Sequence, residues 1–397
     1  MSFSGESGQS YATVLQWGVA TVGEIFALIR ANGEMTRAEI TALTGLSRTA
    51  VSARLATLLG AGLIKECQPA PSTGGRPATQ LSVDTDAGIV LSVAVGLSRT
   101  RLAVCDLAGA VLALSDIDSE VALGPADLMP DIGKGLDVLL EQFPGTDIHG
   151  VGLTLPGTVD AERGCSCGSA ILRGWDGVPL RPYLEALPRI GSAPIVLDND
   201  ANAIALAERG GDDDVLVIKA SSGLGAGIIA GGVLLRGANQ AAGEFGHNKV
   251  VGAEGIPCRC GNTGCLEAIA GGWAIVRALQ QQGISVRHLR DVAELAADGD
   301  PQARRMVRES GRAVGTGMAP AVNLLNPAAV VIAGDMAEVY EMFVAGLRES
   351  LYGNATAEAT GALQVRPAAH GDRSATVGTA MLVLEHVLSV AAIDARF

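Results

Sequence analysis

Three cysteines, Cys258, Cys260 and Cys265, stand close together in the stretch Gly243 to Glu267, with His247 upstream of them. Three thiolates and one imidazole make the donor set of a closed tetrahedral zinc site, structural because no coordination position stays open. Gly261 and Gly264 let the chain fold back so that the sulfurs can converge. Free thiols, or a disulfide pair, remain alternative readings of the same residues, although nothing else in the chain points to an oxidising compartment. Glu244 and Glu267 flank the ligands and belong near whatever the loop shapes.

A second constellation, Asp198-Asn199-Asp200-Ala201-Asn202, follows the apolar run Ile195 to Leu197. A carboxylate at a strand end can take a proton from a hydroxyl or simply bind it. Asp198 or Asp200 can equally well cap the next helix. Asn199 and Asp200 together with Glu244, His247 and Glu267 supply what a many-hydroxyl ligand needs, since each unpaired buried polar group is costly. The simpler reading of Glu244 and Glu267 is exposed charge. Ser221 to Gly227 is glycine-rich. Backbone N–H groups at Ser222, Gly223 and Gly225 can cradle phosphate, or the segment is only a hairpin. Cys165 and Cys167 have no partner nearby and read as loop residues.

These groups need strands and helices to hold them. Strands fit Gly88 to Val95, Thr100 to Asp106, Val111 to Ser115, Ile148 to Leu155 and Ile195 to Leu197, with an amphipathic helix over 127–142. A second series begins at Val215 to Ala220, is mostly helical over 268–320, returns to a strand at Ala329 to Ala333, and ends in an apolar helix over 375–390. Strands that run into polar loops and then helices define an α/β architecture with its site at the strand ends.

The first part of the chain follows different rules. Helical spacing from Thr21 stops at Asn32-Gly33. A short helix fits Arg37 to Leu43, with Thr36 and Glu39 at the spacing of a capping box. After the turn Thr44-Gly45-Leu46 a third helix runs from Ser47 to about Leu59, and Leu63-Ile64 opens a strand. That order is a winged helix-turn-helix, whose second motif helix enters the DNA major groove. Arg48, Thr49, Ser52 and Arg54 would face the bases and phosphates, and Arg76 in the Gly/Pro-rich wing would reach a minor groove. A three-helix interaction module is the plainer alternative. Residues 36–84 carry five basic and three acidic side chains. So small a footprint calls for two heads on a dimer reading a near-palindromic operator.

The 397-residue chain is 48% hydrophobic and 3% aromatic, with 52 glycines, as suits a large α/β protein with many tight turns. Its net charge of −13 argues against a protein that coats nucleic acid throughout. Residues 1–84 balance six basic against six acidic side chains, so all the surplus acid lies in the remainder. The most apolar run, Ala87 to Leu97, is too short to span a bilayer, and the first twenty residues show no secretory pattern, which makes the cytoplasm the expected location.

G-E-x-G-H followed by C-x-C-G-x-x-G-C-L-E resembles the ROK family of bacterial sugar kinases and sugar-responsive repressors. G-R-P after the wing resembles its repressor branch. The resemblance covers nearly the whole chain. It implies two ribonuclease H-like (actin-like ATPase) lobes preceded by a winged helix-turn-helix. The expected divisions are 1–84 for the DNA-binding domain, 85–205 for the first lobe rejoined by 375–397, and 206–374 for the second lobe with the zinc loop. It also implies a zinc ion on His247, Cys258, Cys260 and Cys265. Sugar contacts fall on Asn199, Asp200, Glu244, His247 and Glu267, with Asp200 at the position of the kinases' catalytic base. Those kinases carry D-x-G-x-T at the first strand turn, where the Asp helps hold the metal–phosphate assembly. The matching residues here are Ala94-Val95-Gly96-Leu97-Ser98, so the carboxylate is missing. The expectation is a homodimeric or homotetrameric repressor responsive to a sugar, with Asp200 vestigial and no kinase turnover. An active sugar kinase and a zinc-stabilised protein-interaction regulator are the alternatives.

Overall fold

In a computed structural model of the protein, residues 20–67, 79–118, 123–167, 172 and 174–397 are described. They divide into two compact units. One reaches Ala87 and takes in Leu388–Phe397, and the other is Gly88–Val387.

The N-terminal unit starts with α1 (Val22–Asn32), where Thr21 and Glu24 form a capping box. Strand β1 (Met35–Thr36) leads into α2 (Arg37–Thr44), whose expected Thr36–Glu39 capping box is present. Gly45 ends α2 in the left-handed conformation, φ 68°, with its N–H on the Thr41 carbonyl; a side chain there would be strained. Ser47 caps α3 (Arg48–Gly60), which buries Val51, Leu55 and Leu58. Strands β2 (Ile64–Cys67) and β3 (Gln80–Val83) close a small antiparallel sheet in the order β1-β3-β2. Residues 68–78 lie outside the described residues, and Arg76 with them. The C-terminal helix Val390–Asp394 packs on α1, where the Gly23 N–H donates to Asp394 Oδ1 at 2.7 Å. Residues 388–397 thus belong with this unit, not with the first lobe as the sequence reading had them.

The larger unit holds two lobes. The first is a five-stranded sheet in the order β10-β7-β4-β5-β6. Its strands are β4 (Ile89–Val95), β5 (Arg99–Cys105), β6 (Val111–Asp118), β7 (Ile148–Leu155) and β10 (Ile195–Asn199), with a small hairpin of β8 (Val159–Asp160) and β9 (Cys165–Ser166) between the last two. Cys165 therefore lies in a short strand, where a loop was expected. Helices α4 (Pro125–Leu140) and α5 (Arg181–Glu185) pack into the core with Leu91, Val93 and Val95. The alternation of β4 sends Ser92 to the opposite face, and Ala94 with it. Helix α6 (Asp200–Glu208) follows β10 directly.

The second lobe is a five-stranded sheet in the order β13-β12-β11-β14-β15. It contains β11 (Val215–Ala220), β12 (Leu224–Ala230), β13 (Val233–Leu234), β14 (Ala329–Ala333) and β15 (Gln364–Pro367). One face is covered by α7 (Glu267–Ala270), α8 (Gly272–Gln281), α9 (Leu289–Ala297), α10 (Pro301–Leu325), α11 (Tyr340–Asn354) and α12 (Ala357–Thr360). Along β11, Leu216, Ile218 and Ala220 enter that core, while Val215 and Val217 face α6 with Ala203, Ile204 and Leu206. Lys219 continues the second set and faces α6 too. The expected lobe boundary at 205/206 falls inside α6, which rests on the second sheet. Helix α13 (Ser374–Val387) returns to the first sheet, where its Thr376 carbonyl accepts a hydrogen bond from Ser92 Oγ at 2.8 Å. It crosses α6 so closely that a Cβ on Gly378 would sit 1.9 Å from the Ala203 carbonyl oxygen. That contact joins the lobes.

Candidate functional site

The cysteine loop brings its expected ligands together. The donor atoms of His247, Cys258, Cys260 and Cys265 all lie within 4.8 Å of one another. Cys260 Sγ and Cys265 Sγ are 3.7 Å apart, and Cys258 Sγ is 3.8 Å from His247 Nδ1. Ligand atoms of a tetrahedral ion with zinc–sulfur bonds of about 2.3 Å stand about 3.8 Å apart, so the residues fit zinc. The seven cysteines form no disulfide in the structure. Burial pushes the Cys258 thiol up to about 12, so a bound cation must displace its proton. Lys249 Nζ lies 3.7 Å from Cys265 Sγ, where its charge can offset thiolate charge. The His247 ring divides its two nitrogens: Nδ1 faces the thiols, and Nε2 is 3.6 Å from Glu244 Oε2. A carboxylate behind a metal-facing histidine fixes the ring's tautomer and orientation.

Around this loop the five residues expected on a sugar fall into two groups. Asn199 is the cap of α6: its Oδ1 accepts from the N–H groups of Ala201 and Asn202, and its Nδ2 donates to the Gly157 carbonyl. The cap is thus Asn199 itself, not Asp198 or Asp200, and one amide hydrogen is all it has left to offer. Glu267 is 1% exposed, with Oε2 accepting from Leu224 N–H and Oε1 from Trp273 Nε1. Both its oxygens are engaged, and the Trp273 ring they hold lies 4.7 Å from the guanidiniums of Arg259 and Arg277. Each oxygen accepts one hydrogen bond, so Glu267 braces β12 against the cysteine loop and keeps about two acceptor sites. Asp200, Glu244 and His247 form the second group. Burial raises the Glu244 carboxyl above its ordinary range against the pull of His247, and the charges of Asp200 and Glu267 push the same way.

Asp200 also lines a cleft of about 260 Å³. Its walls include Ala94 to Ser98, Lys219, Ser221 to Gly223, Arg290 and Gly334. Ala94 is on the cleft wall. Ser221 to Gly223 is the tip of a β11–β12 hairpin, closed by a Ser221 N–H bond to the Gly223 carbonyl. Ser222 and Gly223 face the cleft, whereas Gly225 lies within β12 opposite Lys219 and is not part of a phosphate loop. Two ion pairs missed in the sequence flank Asn199. Asp198 Oδ2 accepts from Arg236 Nε at 2.8 Å, and Lys219 Nζ bonds Asp200 Oδ2. The one signal for Lys219 was a lysine inside the apolar strand V-L-V-I-K-A, since lysine is rarely buried without a partner.

On the N-terminal unit, Arg48, Thr49 and Ser52 project together from the first turns of α3 and are exposed. Arg54 is half-buried, and its Nη1 bonds the Ala50 carbonyl at 3.2 Å, one turn back along its own helix. Arg37 and Lys65 are held by Glu66 and by Asp84 and Asp86. Among the described residues, no helix is long and apolar enough to cross a membrane.

A two-lobed α/β unit with a cysteine loop beside its cleft, carrying a winged helix-turn-helix, defines the class of protein. The chain belongs to the ROK family, whose model matches residues 90–386, and residues 20–65 match the winged helix-turn-helix DNA-binding model. It is 27% identical over 378 residues to the xylose repressor of Caldicellulosiruptor bescii, covering 90% of this chain and 94% of that protein. It is 30% identical over 314 residues to a glucokinase of Halalkalibacterium halodurans, covering 74% and 94%. A solved ROK family transcriptional regulator, a homologue of the E. coli MLC protein, superposes with a TM-score of 0.78 at 24% identity, covering 94% and 97% of the two chains.

Proposed function

We propose that the protein is a sugar-responsive transcriptional repressor that binds operator DNA through α3 and a sugar beside Asp200. The observation that carries this reading is one chain holding both a helix-turn-helix with exposed Arg48, Thr49 and Ser52 and a kinase-like cleft with Ala94 on its wall. The similarity to a repressor over nearly the whole of both chains supports it. Asn199, Asp200, Glu244, His247 and Glu267 supply the sugar's partners; Asn199 also caps the helix that Asp200 opens, and Glu267 also braces β12. Zinc on His247, Cys258, Cys260 and Cys265 is structural: it fixes the His247 ring, and through it Glu244. Reduced ligand thiols suit the cytoplasm. Two winged heads on a homo-oligomer read a near-palindrome, because one head has few free cations.

The similarity to a glucokinase, and the survival of Asp200, favour a second reading as a sugar kinase. Phosphoryl transfer depends on positioning and charge stabilisation, and Ala94 removes one of its charged anchors. A coupled assay with ATP, magnesium, D-glucose and D-xylose separates the two. The repressor reading predicts background turnover. A rate in the ordinary kinase range, about 1–100 per second, contradicts it.

A further inference from the structure

The sequence alternation of β11 puts Lys219 under α6, and the α6 cap puts Asp200 over β11. Their side chains meet at the cleft, 18% and 8% exposed. Asp200 uses Oδ2 for this contact, and it is the ammonium's protein partner. An ammonium carries three donors and a carboxylate about four acceptor sites. Lys219 therefore keeps donors, and Asp200 keeps Oδ1, for whatever enters the cleft. The two flexible ends do not drift. Asp200 is tied by the Asn199 cap and Lys219 by a strand paired on both sides, with β12 and β14.

We propose that Lys219 is a specificity-determining residue which, with Asp200, clamps a single uncharged sugar hydroxyl. The inference rests on the sugar-effector reading above. A hydroxyl is donor and acceptor at once. It can give its proton to Asp200 and accept from Lys219, so one group satisfies both members of the pair. A carboxylate or phosphate on the ligand has no proton to give, and at Lys219 it would abut Asp200. The nearby cations offer it little. Arg101 is already held by Asp116 and Asp372, and Arg99 by Asp116, while Arg290 on the same wall faces the charges of Asp116 and Glu338. The clamp thus selects neutral sugars over sugar acids and sugar phosphates. It needs neither nucleotide nor divalent cation.

Calorimetry on the full chain tests this with D-glucose and D-xylose, their monodeoxy analogues, D-glucuronate and D-glucose 6-phosphate. In the wild type a neutral sugar should bind more tightly than the acid and the phosphate. One monodeoxy analogue should bind roughly 10- to 100-fold more weakly than its parent, the loss expected for a charge-assisted hydrogen bond. In Lys219→Met that deoxy penalty should shrink, since only Asp200 still bonds the hydroxyl, and Lys219→Arg should restore most of it. Lys219→Met leaves a buried carboxylate alone and can unfold the lobe. The double variant Lys219→Met/Asp200→Asn removes both charges; it should fold and bind parent and deoxy sugar alike. An undiminished deoxy penalty in either Met variant overturns the clamp while leaving the sugar reading intact, as does tighter binding of the acid or phosphate. Failure of every sugar to bind the wild type removes the sugar reading itself, and the clamp with it.

Discussion

The cysteine loop and the cleft beside Asp200 belong to one compact unit but are built on opposite plans. In the loop every functional atom already converges: four donors lie within 4.8 Å, a carboxylate stands behind the histidine, and Glu267 and Trp273 brace the base. In the cleft Lys219 and Asp200 have each other as partner and keep spare valence. On the proposed reading, a single small ion finishes the loop. The cleft is left open to a ligand with its own donors and acceptors. A site that stabilises a fold satisfies itself, and a site that responds to a ligand cannot.

Removing the metal should break the first half of that contrast and have the largest effect. Purified protein should carry about one zinc per chain. Cys260→Ser should lose it and weaken sugar binding at least about tenfold, by freeing His247 and Glu244, while the N-terminal unit keeps its fold. Elemental analysis with sugar calorimetry checks both, and full zinc with full sugar binding in the variant would contradict them. Next is the joint between α6 and α13. Gly378→Val drives side-chain atoms into the Ala203 carbonyl and should cost about 3 kcal/mol of stability, read as a lower Tm. Zinc content should not change, which separates the joint from the loop. An unshifted Tm would mean that the helices part without cost.

Smaller effects sharpen the contrast at the DNA-binding face, another surface left open for a partner. Arg48→Ala should weaken operator binding by about 1–3 kcal/mol at a specific site and much less on random DNA. Equal losses on both would make Arg48 a phosphate contact. Arg37→Ala removes an ion pair whose side chains are 42% and 51% exposed, so its loss should cost at most about 1 kcal/mol. A larger drop in denaturant titration would show that this pair anchors the wing.

How much of this was legible in the sequence follows the same division. The cysteine loop could be read because its donors are close in sequence and their spacing is itself the geometry. Helices α2 and α3 were legible from Thr36, Glu39, Gly45 and Ser47, which act on backbone groups a few residues away. Strands β7, β11 and β14 matched their apolar runs. The Lys219–Asp200 pair was not legible, because it depends on how α6 settles on β11, and no local rule sets that. The bonds of Glu267 to Leu224 and Trp273 and of Arg54 to the Ala50 carbonyl were not legible, because packing and rotamer set them. Gly225 looked like part of a loop until the β11–β12 register placed it inside a strand. The C-terminal helix was assigned to the first lobe because its docking on α1 turns on Asp394 meeting Gly23, nearly the full chain apart.

The central claim is that one chain couples a sugar at Asp200 to DNA at α3 without phosphorylating the sugar. Coupling between two sites is reciprocal, so it can be read from either end. The direct measurement is sugar affinity by calorimetry, with and without saturating operator DNA recovered by selection from random sequence. The account predicts that operator changes sugar affinity by the same factor by which sugar changes operator affinity, in the same direction. Sugar affinity that is identical with and without operator would contradict it.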